Sequence, residues 1–393
     1  MFNDNIQQNE SVEKKSKSAH LALQLPEIVD RIMYFLTVPI HMIDEQHKHK
    51  LYENIYPCLF INGLWHDCAV RWIWKHVTFE DSKSEFDALL RFCYTVGGND
   101  TQDYAPPHPM RSSSTAANLA IASSPNVSTI RYYPSFYSPY AHYTQHRKAI
   151  RSITLRKIKD KAINKPLMQI GRYTQRLEKL DIYICDHLAD SSVHTFITYN
   201  HNSLTFLSLA GCNRITDEAI ISVAHHCPKL MHLDLRACGL ISDVSIKAIA
   251  THCPNLFHLN VGRVRDREKI TMASINLVAQ QTQVGVLGLA GCDITDECLI
   301  LLAQARNKGL ERISVNNCYR ITNRSLRAYV TYCPNLSVFE MKECHRINDW
   351  SAVAELVQRK VLLTLCEQQN KSCLEWARQR GRVLTVKPPI KSP

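Results

Sequence analysis

The sequence predicts an α/β solenoid in which a parallel sheet lines the concave face and helices cover the convex face, preceded by a small helical domain. Two observations carry this prediction. A short apolar motif recurs eight times between residues 149 and 346 with a period of 26 to 28 residues, and recurrence at a fixed period is the signature of stacked repeats. Ahead of it, residues 21 to 96 contain apolar positions at helical spacing.

Each repeat has the form LxxLxLxx, and six of the eight copies end in cysteine. The alternation in LxL predicts a strand with one side inward, and the following apolar positions three and four apart predict a helix. One unit cannot bury its apolar side alone, so stacked units must share a core. The expected successive rungs of that core include Leu207, Leu233, Leu259 and Leu287.

Hydroxyl residues stand just before the predicted helices, where they can accept hydrogen bonds from unpaired N–H groups. An aspartate follows in several repeats, and its charge suits the positive end of a helix. We therefore expect helix starts at Thr216, Ser242, Thr271, Thr295 and Thr322.

The chain has fifteen cysteines, but its N-terminus has no apolar run that resembles a signal peptide. This combination predicts a reducing compartment. The repeat cysteines are expected to stack as buried thiols, because a zinc site needs four convergent ligands and the repeats offer no CxxC pair. We predict no metal and no cofactor. The two expected columns are Cys185, Cys212, Cys238, Cys292, Cys318 and Cys344, and Cys227, Cys253 and Cys333.

The cysteine-ended repeats, their ITD helix starts and the C-P before the next strand resemble the cysteine-containing subclass of leucine-rich repeats, which is common in F-box proteins. This resemblance covers about residues 150 to 346. It implies a scaffold that binds other proteins.

Two N-terminal segments, LQLPEIVDRIMYFL and CLFINGLWHDCAVRWIWKHVTF, resemble an F-box. The resemblance implies docking on a Skp-type adaptor and recruitment to a cullin-RING ubiquitin ligase, although the connection after Leu36 is longer than usual. The alternative is a helical cap that covers the first repeat, with the tryptophans as its core. The adaptor contacts implied by the resemblance are Leu25, Pro26, Ile28, Ile32, Leu36, Trp65 and Trp74.

The strand positions on either side of the inward leucine face the concave solvent, and they differ from repeat to repeat. A curved face of this kind is suited to binding another protein. We also expect charge reversal at Asp234 or His232 to weaken binding with little effect on stability. The predicted partner-binding residues are Tyr183, Phe206, His232, Asp234, Arg236, His258, Asn260 and Arg312.

The segments outside the helical domain and the repeats are predicted to be two tails, an insertion and a cap. Residues 1–20 are predicted to be a disordered tail, and 97–148 a flexible Ser/Pro/Tyr-rich insertion in which Ser124 and Ser138 precede proline. Residues 347–393 are predicted to form a helical cap and tail.

Several classes of function are excluded by pattern. The chain has no GxSxG, HExxH or glycine-rich phosphate loop, so we predict that it is not an enzyme. No apolar run approaches the roughly 18 residues of a membrane span. The net charge of +11 is scattered, with no nucleic-acid-binding motif, so neither nucleic acid nor membrane is a predicted partner.

The order of segments resembles a fungal family of antagonists of the mitotic exit network. This resemblance implies restraint of mitotic exit by binding the pathway's small GTPase, and control of daughter-cell separation through turnover of a transcription factor. The predicted function is a non-catalytic adaptor, the substrate-recognition subunit of an SCF-type ubiquitin ligase, in cytoplasm and nucleus. The alternative is a stoichiometric inhibitor that occludes a signalling partner without recruiting a ligase.

Overall fold

In the part of the chain that the structure describes, ten parallel strands form one sheet, in which they are ordered as they are in the chain. The computed structural model describes residues 21–37, 52–80, 83–97 and 146–389. A helix follows every strand and packs against the helix of the next unit. The predicted fold class, an α/β leucine-rich-repeat solenoid, is confirmed.

The boundaries of the elements follow the repeat plan. The strands are His76–Phe79 (β1), Ser152–Arg156 (β2), Lys179–Tyr183 (β3), Phe206–Ser208 (β4), His232–Asp234 (β5), His258–Asn260 (β6), Val286–Gly288 (β7), Arg312–Ser314 (β8), Val338–Glu340 (β9) and Leu362–Thr364 (β10). The helices are Pro26–Leu36 (α1), Gly63–Ile73 (α2), Lys83–Gly97 (α3), Asn164–Tyr173 (α4), Asp190–Asn200 (α5), Asp217–His226 (α6), Asp243–His252 (α7), Met272–Gln281 (α8), Asp296–Arg306 (α9), Asn323–Tyr332 (α10), Trp350–Gln358 (α11) and Glu367–Gln379 (α12).

An apolar residue of each repeat strand forms one rung of the core. Leu207, Leu233, Leu259 and Leu287 are direct partners in successive strands, and each is at most 1% exposed. Neighbouring strands lie about 4.8 Å apart, so each rung packs against the next. The predicted alignment of these leucines is confirmed.

The sheet has one more strand at its start than the sequence predicted. Strand β1 pairs with β2 through Val77 and Ile153, and the unit that contains the repeats is Lys75–Pro393. The predicted helical domain, residues 21–96, therefore ends too late. The motif was hidden because the insertion at 97–148 separates β1 from its neighbour by far more than one period.

The sheet also has an additional strand at its end. The sequence predicted only a helical cap there, but Leu363 in β10 pairs with Phe339 in β9. Its repeat was missed because Lys360 replaces the first leucine of the motif. The backbone N–H of Leu363 donates to the carbonyl oxygen of Lys387 at 2.9 Å, so the C-terminal segment protects part of this edge strand from pairing with other chains.

The fifteen cysteines are all buried and free. The thiols of Cys238 and Cys318 donate to the carbonyl oxygens of Leu209 and Leu289 in the preceding repeat, at 3.1 and 3.2 Å. Burial raises the pKa of Cys333, in the second column, to about 12. The predicted assignment of the repeat cysteines to the core is confirmed, since they fill space and bond to backbone as neutral thiols.

The repeat of strand β6 interrupts the cysteine column. Val264 stands at its last motif position and is exposed, whereas the neighbouring Arg263 is buried. The Arg263 guanidinium donates to two backbone carbonyl oxygens at 3.0 and 3.1 Å. Burial raises the pKa of Cys238 and Cys292 to about 12, and the Arg263 charge opposes that rise. An arginine therefore bridges the gap in the column.

A ladder of aspartates connects the start of one helix to the next repeat. Asp217 accepts hydrogen bonds from the backbone nitrogen and Oγ of Ser242, at 2.9 and 2.5 Å. Ser242 in turn accepts from the Val244 N–H and caps α7. The ITD pattern thus joins repeats as well as starting helices. The same bonds connect Asp190 to Thr216, Asp243 to Thr271 and Asp296 to Thr322.

The described residues of the segment Met1–Trp74 form a separate unit. The Trp65 indole N–H donates to the carbonyl oxygen of Leu23 at 3.3 Å, and the Trp72 indole N–H donates to Asp30 Oδ1 at 2.9 Å. These bonds connect α2 to α1 and the turn before it. The buried core of this unit is Val29, Met33, Ile55, Cys58, Cys68 and Ala69.

Three predicted segments lie outside the described residues. They are the tail 1–20, the long connection after Leu36 at 38–51, and the part of the insertion at 98–145 that includes Ser124 and Ser138. Within the described ranges, no helix is both long and apolar enough to cross a bilayer.

Candidate protein-binding face

The outward-facing positions of the strands form columns on the open side of the sheet, which we call the strand face. The register of every neighbouring pair from β2 to β9 agrees with the two columns that the repeats predict. The first column is Ser152, Lys179, Phe206, His232, His258, Val286, Arg312 and Val338. The second is Thr154, Asp181, Ser208, Asp234, Asn260, Gly288, Ser314 and Glu340.

The eight predicted partner-binding residues are not spread evenly over this face. Tyr183 lies in β3, the strand beside β4, and Arg312 lies in β8, two strands beyond β6. The other six belong to the three adjacent strands β4 to β6 and the residues just after them. These six are Phe206, His232, Asp234, Arg236, His258 and Asn260.

Three rings stack along the first column. The centroids of Phe206 and His232 are 3.9 Å apart with an interplanar angle of 12°. The centroids of His232 and His258 are also 3.9 Å apart, at 27°. Lys179 extends the series, since its Nζ lies 4.4 Å from the centroid of the Phe206 ring. We call Phe206, His232 and His258 the ring stack, and cation–π attraction from Lys179 stabilises its end.

The imidazoles of the ring stack are neutral near pH 7. The pKa of His232 is lowered to about 3, first by burial and then by the charges of His258, Lys179 and Arg236. Burial also lowers the pKa of His258, despite the opposing charge of Asp234. A neutral imidazole presents a flat ring that is far less costly to desolvate than a cation.

Ion pairs surround the ring stack. Arg236 Nη2 lies 2.7 Å from Asp234 Oδ2, and its Nε is 3.0 and 2.9 Å from the two carboxylate oxygens. On the same face, Lys179 Nζ lies 3.3 Å from Asp181 Oδ2. A third pair joins Arg312 to Glu340. Charged groups therefore border the neutral rings on both sides.

Asp234 plays a different part from the one the sequence predicted. It is buried, and Oδ1 also accepts the backbone N–H of Arg236 at 3.1 Å. The expectation that charge reversal here leaves stability intact is therefore wrong, because a buried lysine would lie directly against the like charge of Arg236. Half-buried Phe206 is the better probe of binding.

Sequence reasoning missed three members of this area. Lys179 was in the first column but was not assigned to the site, although it contacts Phe206. Met231 and Phe257 directly precede His232 and His258, and Met231 is exposed. Their signal was available: the same motif position is threonine, glutamate or serine in most other repeats, so an apolar residue there is informative.

Glycines in and just before β7 leave room for the side chains of Asn260 in β6 and of Phe257 just before it. A Cβ on Gly288 would lie 2.3 Å from Asn260 Cγ, and a Cβ on Gly285 would lie 2.4 Å from Phe257 Cε2. The Asn260 carboxamide therefore extends over β7, where its Oδ1 also accepts the Gly262 N–H at 3.1 Å. This packing fixes Asn260 beside the ring stack.

The predicted adaptor-binding residues divide between surface and core of the N-terminal unit. Leu25, Pro26 and Ile28 are exposed at the start of α1. Ile32 and Leu36 are half-buried on the same helix. The half-buried tryptophans, Trp65 and Trp74, belong to α2 and its C-terminal cap, and Trp65 packs on the core.

Among the described residues, one set of side chains has metal-binding donors close together. The donor atoms of Glu343, His345 and Cys366 all lie within 4.8 Å of one another. Glu343 Oε2 and His345 Nε2 are 3.2 Å apart, and an ordinary surface ion pair accounts for that contact. The three residues are not part of the repeat cysteine columns.

Comparison with known proteins agrees with this architecture. Residues 200–224 and 226–250 match the family described as Leucine Rich repeat. The protein named Antagonist of mitotic exit network protein 1 from Candida glabrata is 37% identical over 361 residues, which are 88% of this chain and 58% of that protein. The protein of the same name from Saccharomyces cerevisiae is 31% identical over 336 residues, 83% of this chain and 51% of that protein.

The chain thus spans about half the length of the curated relatives it matches. A solved structure, "Crystal structure of Rad7 and Elc1 complex in yeast", is 16% identical with a TM-score of 0.43, covering 59% of this chain and 64% of that one. The predicted resemblance is confirmed: this chain is a relative of the fungal antagonists of the mitotic exit network.

Proposed function

We propose that this relative of the mitotic-exit antagonists is a non-catalytic regulator whose strand face captures a signalling protein of the mitotic exit network. The ring stack carries the proposal. It is half-buried, neutral, held in place by its neighbours and bordered by ion pairs. Protein interfaces have the same anatomy, with aromatic anchors at the centre and polar groups around them.

The proposed partner is the small GTPase of the pathway, or a transcription factor that controls daughter-cell separation. The names of the relatives support the pathway, and the resemblance seen in the sequence supports the partner classes. The proposed sites of action are the cytoplasm and the nucleus, which imaging of the tagged protein through the cell cycle would test.

Truncation of Phe206, the ring at the Lys179 end of the stack, tests this proposal. We expect Phe206→Ala to weaken binding of the purified GTPase by about 30-fold, because loss of an interface anchor costs about 2 kcal/mol. Titration calorimetry measures the effect. The matched control is Tyr199→Ala, which truncates an exposed aromatic residue on helix α5. Equal affinities of both variants would contradict a role for the strand face.

We also propose that the N-terminal unit docks on a Skp-type adaptor, making the protein a substrate-recognition subunit of an SCF-type ubiquitin ligase. The support is the F-box-like pattern together with the exposure of Leu25 and Ile28 on α1. Large apolar side chains that stay exposed beside a formed core are available to a partner.

The adaptor proposal has a separate test. We expect wild-type protein to retain purified Skp-type adaptor in a pull-down, and Leu25→Ala with Ile28→Ala to reduce retention by at least about 10-fold because two anchors are lost. Leu374→Ala, an exposed leucine on α12, is the control. If wild-type protein fails to bind the adaptor while Phe206→Ala still weakens GTPase binding, the stoichiometric inhibitor becomes the supported function.

A further inference from the structure

The ion pairs of the strand face are asymmetric. The side chain of Lys179 is 40% exposed and that of its partner Asp181 is 13% exposed. For Arg236 and Asp234 the values are 55% and 7%. In each of the ion pairs that border the ring stack, the acidic side chain is the less exposed member and the basic side chain is the more exposed one. The last of them, Arg312 and Glu340, has values of 38% and 15%.

This difference in exposure between the basic and the acidic member is specific to the middle of the strand face. At the start of β2 and β3, Glu178 is the more exposed member of its pair with Arg151. Around the ring stack, by contrast, the groups that a partner would meet first are cations. Equal numbers of charges in each pair therefore do not make the surface neutral, because the exposed member dominates the field at the surface.

The ring stack does not itself supply this positive charge. His232 has a pKa lowered to about 3, and the pKa of His258 is also lowered, in both cases chiefly by burial. Both rings are therefore neutral near pH 7. The charged groups that act on them are Lys179, Asp234, Arg236 and Arg312.

We propose that the strand face binds an acidic peptide segment of its partner, with an apolar or aromatic side chain on the ring stack and flanking carboxylates on Lys179, Arg236 and Arg312. This inference rests on the proposed function and specifies the chemistry of the captured segment. The carboxylates pair with cations that are already oriented by buried acids, so little side-chain entropy is lost on binding.

The probe is a labelled synthetic peptide in which one tryptophan is flanked on both sides by glutamates. We expect it to bind the full chain, and to bind at least about 10-fold more weakly when the ionic strength rises from about 50 to about 300 mM, since salt screens exposed charges. A peptide with glutamines in place of glutamates should bind at least about 10-fold more weakly at low salt. Affinity should not change between about pH 7 and about pH 8, because the pKa of both imidazoles is lowered below the usual value of 6.5.

The location is tested by substitutions that leave the net charge unchanged. Lys179→Gln with Asp181→Asn, combined with Arg312→Gln and Glu340→Gln, removes two exposed cations together with their less exposed acidic partners. We expect the acidic peptide to bind this variant at least about 5-fold more weakly, from the usual strength of such contacts. Arg324→Gln with Glu297→Gln is the control, since that pair is exposed on α10 and α9.

The outcomes separate this inference from the proposed function. If the peptide fails to bind, or binds all variants equally, the acidic segment is excluded, whereas a loss of GTPase binding in Phe206→Ala would still support capture by the strand face. If affinity rises between about pH 8 and about pH 7, the histidines carry the charge and the inference is wrong. The inference is also overturned if duplex DNA binds as tightly as the acidic peptide and loses the same affinity in the variant that lacks the two ion pairs. Such a result would indicate a general site for polyanions.

Discussion

Leu233→Ala is expected to destabilise the repeat unit by about 2 to 5 kcal/mol, the usual cost of removing a fully buried leucine side chain. Leu233 is 0% exposed and pairs with Leu207 on one side and Leu259 on the other. In a stacked array each repeat is stabilised mainly by its two neighbours. A cavity in a central rung therefore weakens two interfaces at once.

The midpoint of urea unfolding, followed by far-ultraviolet circular dichroism, measures this effect. Leu240→Ala is the matched control, because Leu240 belongs to the same repeat but is exposed. We expect the control to lie within about 0.5 kcal/mol of wild type. Similar midpoints for the two variants would mean that the rungs do not form a shared core.

The central repeats were predictable because the same motif recurs in each of them every 26 to 28 residues. The repeat alignment places Leu207 and Leu233 at the same inward position of their strands. Because side chains alternate along a strand, the residues on either side of each leucine must face outward. The end strands were not predictable in the same way. An insertion separates β1 from its partner, and β10 has Lys360 where a leucine should begin the motif.

The candidate site was only partly accessible to sequence reasoning. Periodicity placed Phe206, His232 and His258 in one column, and the structure shows that their rings stack. The burial of Asp234 was not predictable, because it depends on the Arg236 side chain folding back over the carboxylate. The alternation of side chains along a strand predicts which way a side chain points, but not whether a neighbouring side chain buries it.

The interruption of the cysteine column leads to the second large expected effect, at Gly291. This residue has φ +73° and occupies the turn position just before Cys292. Positive φ alone does not require glycine there, since Ala237 and Asn317 hold the equivalent position with φ of 58° and 59°. The requirement comes from the preceding repeat, because a Cβ on Gly291 would lie 1.9 Å from the carbonyl oxygen of Arg263.

That carbonyl has little freedom to move. The backbone N–H of Arg263 donates to the carbonyl oxygen of Ala290 at 2.8 Å. The buried guanidinium of Arg263 donates to the carbonyl oxygen of Ile241 at 3.1 Å. Relief of the clash must therefore displace the backbone of one repeat or the other. We expect Gly291→Ala to cost about 3 kcal/mol, from left-handed strain together with forced repacking.

Gly381→Ala isolates the conformational part of this cost. Gly381 has φ +61°, but a Cβ there meets open space, so we expect a loss of only about 1 kcal/mol. Urea unfolding of both variants beside wild type gives the comparison. If Gly291→Ala shifts the midpoint no more than Gly381→Ala, the Arg263 carbonyl is not fixed. In that case the arginine fills the column only loosely, and the repeat of strand β6 is a weak joint in the array rather than a rigid one.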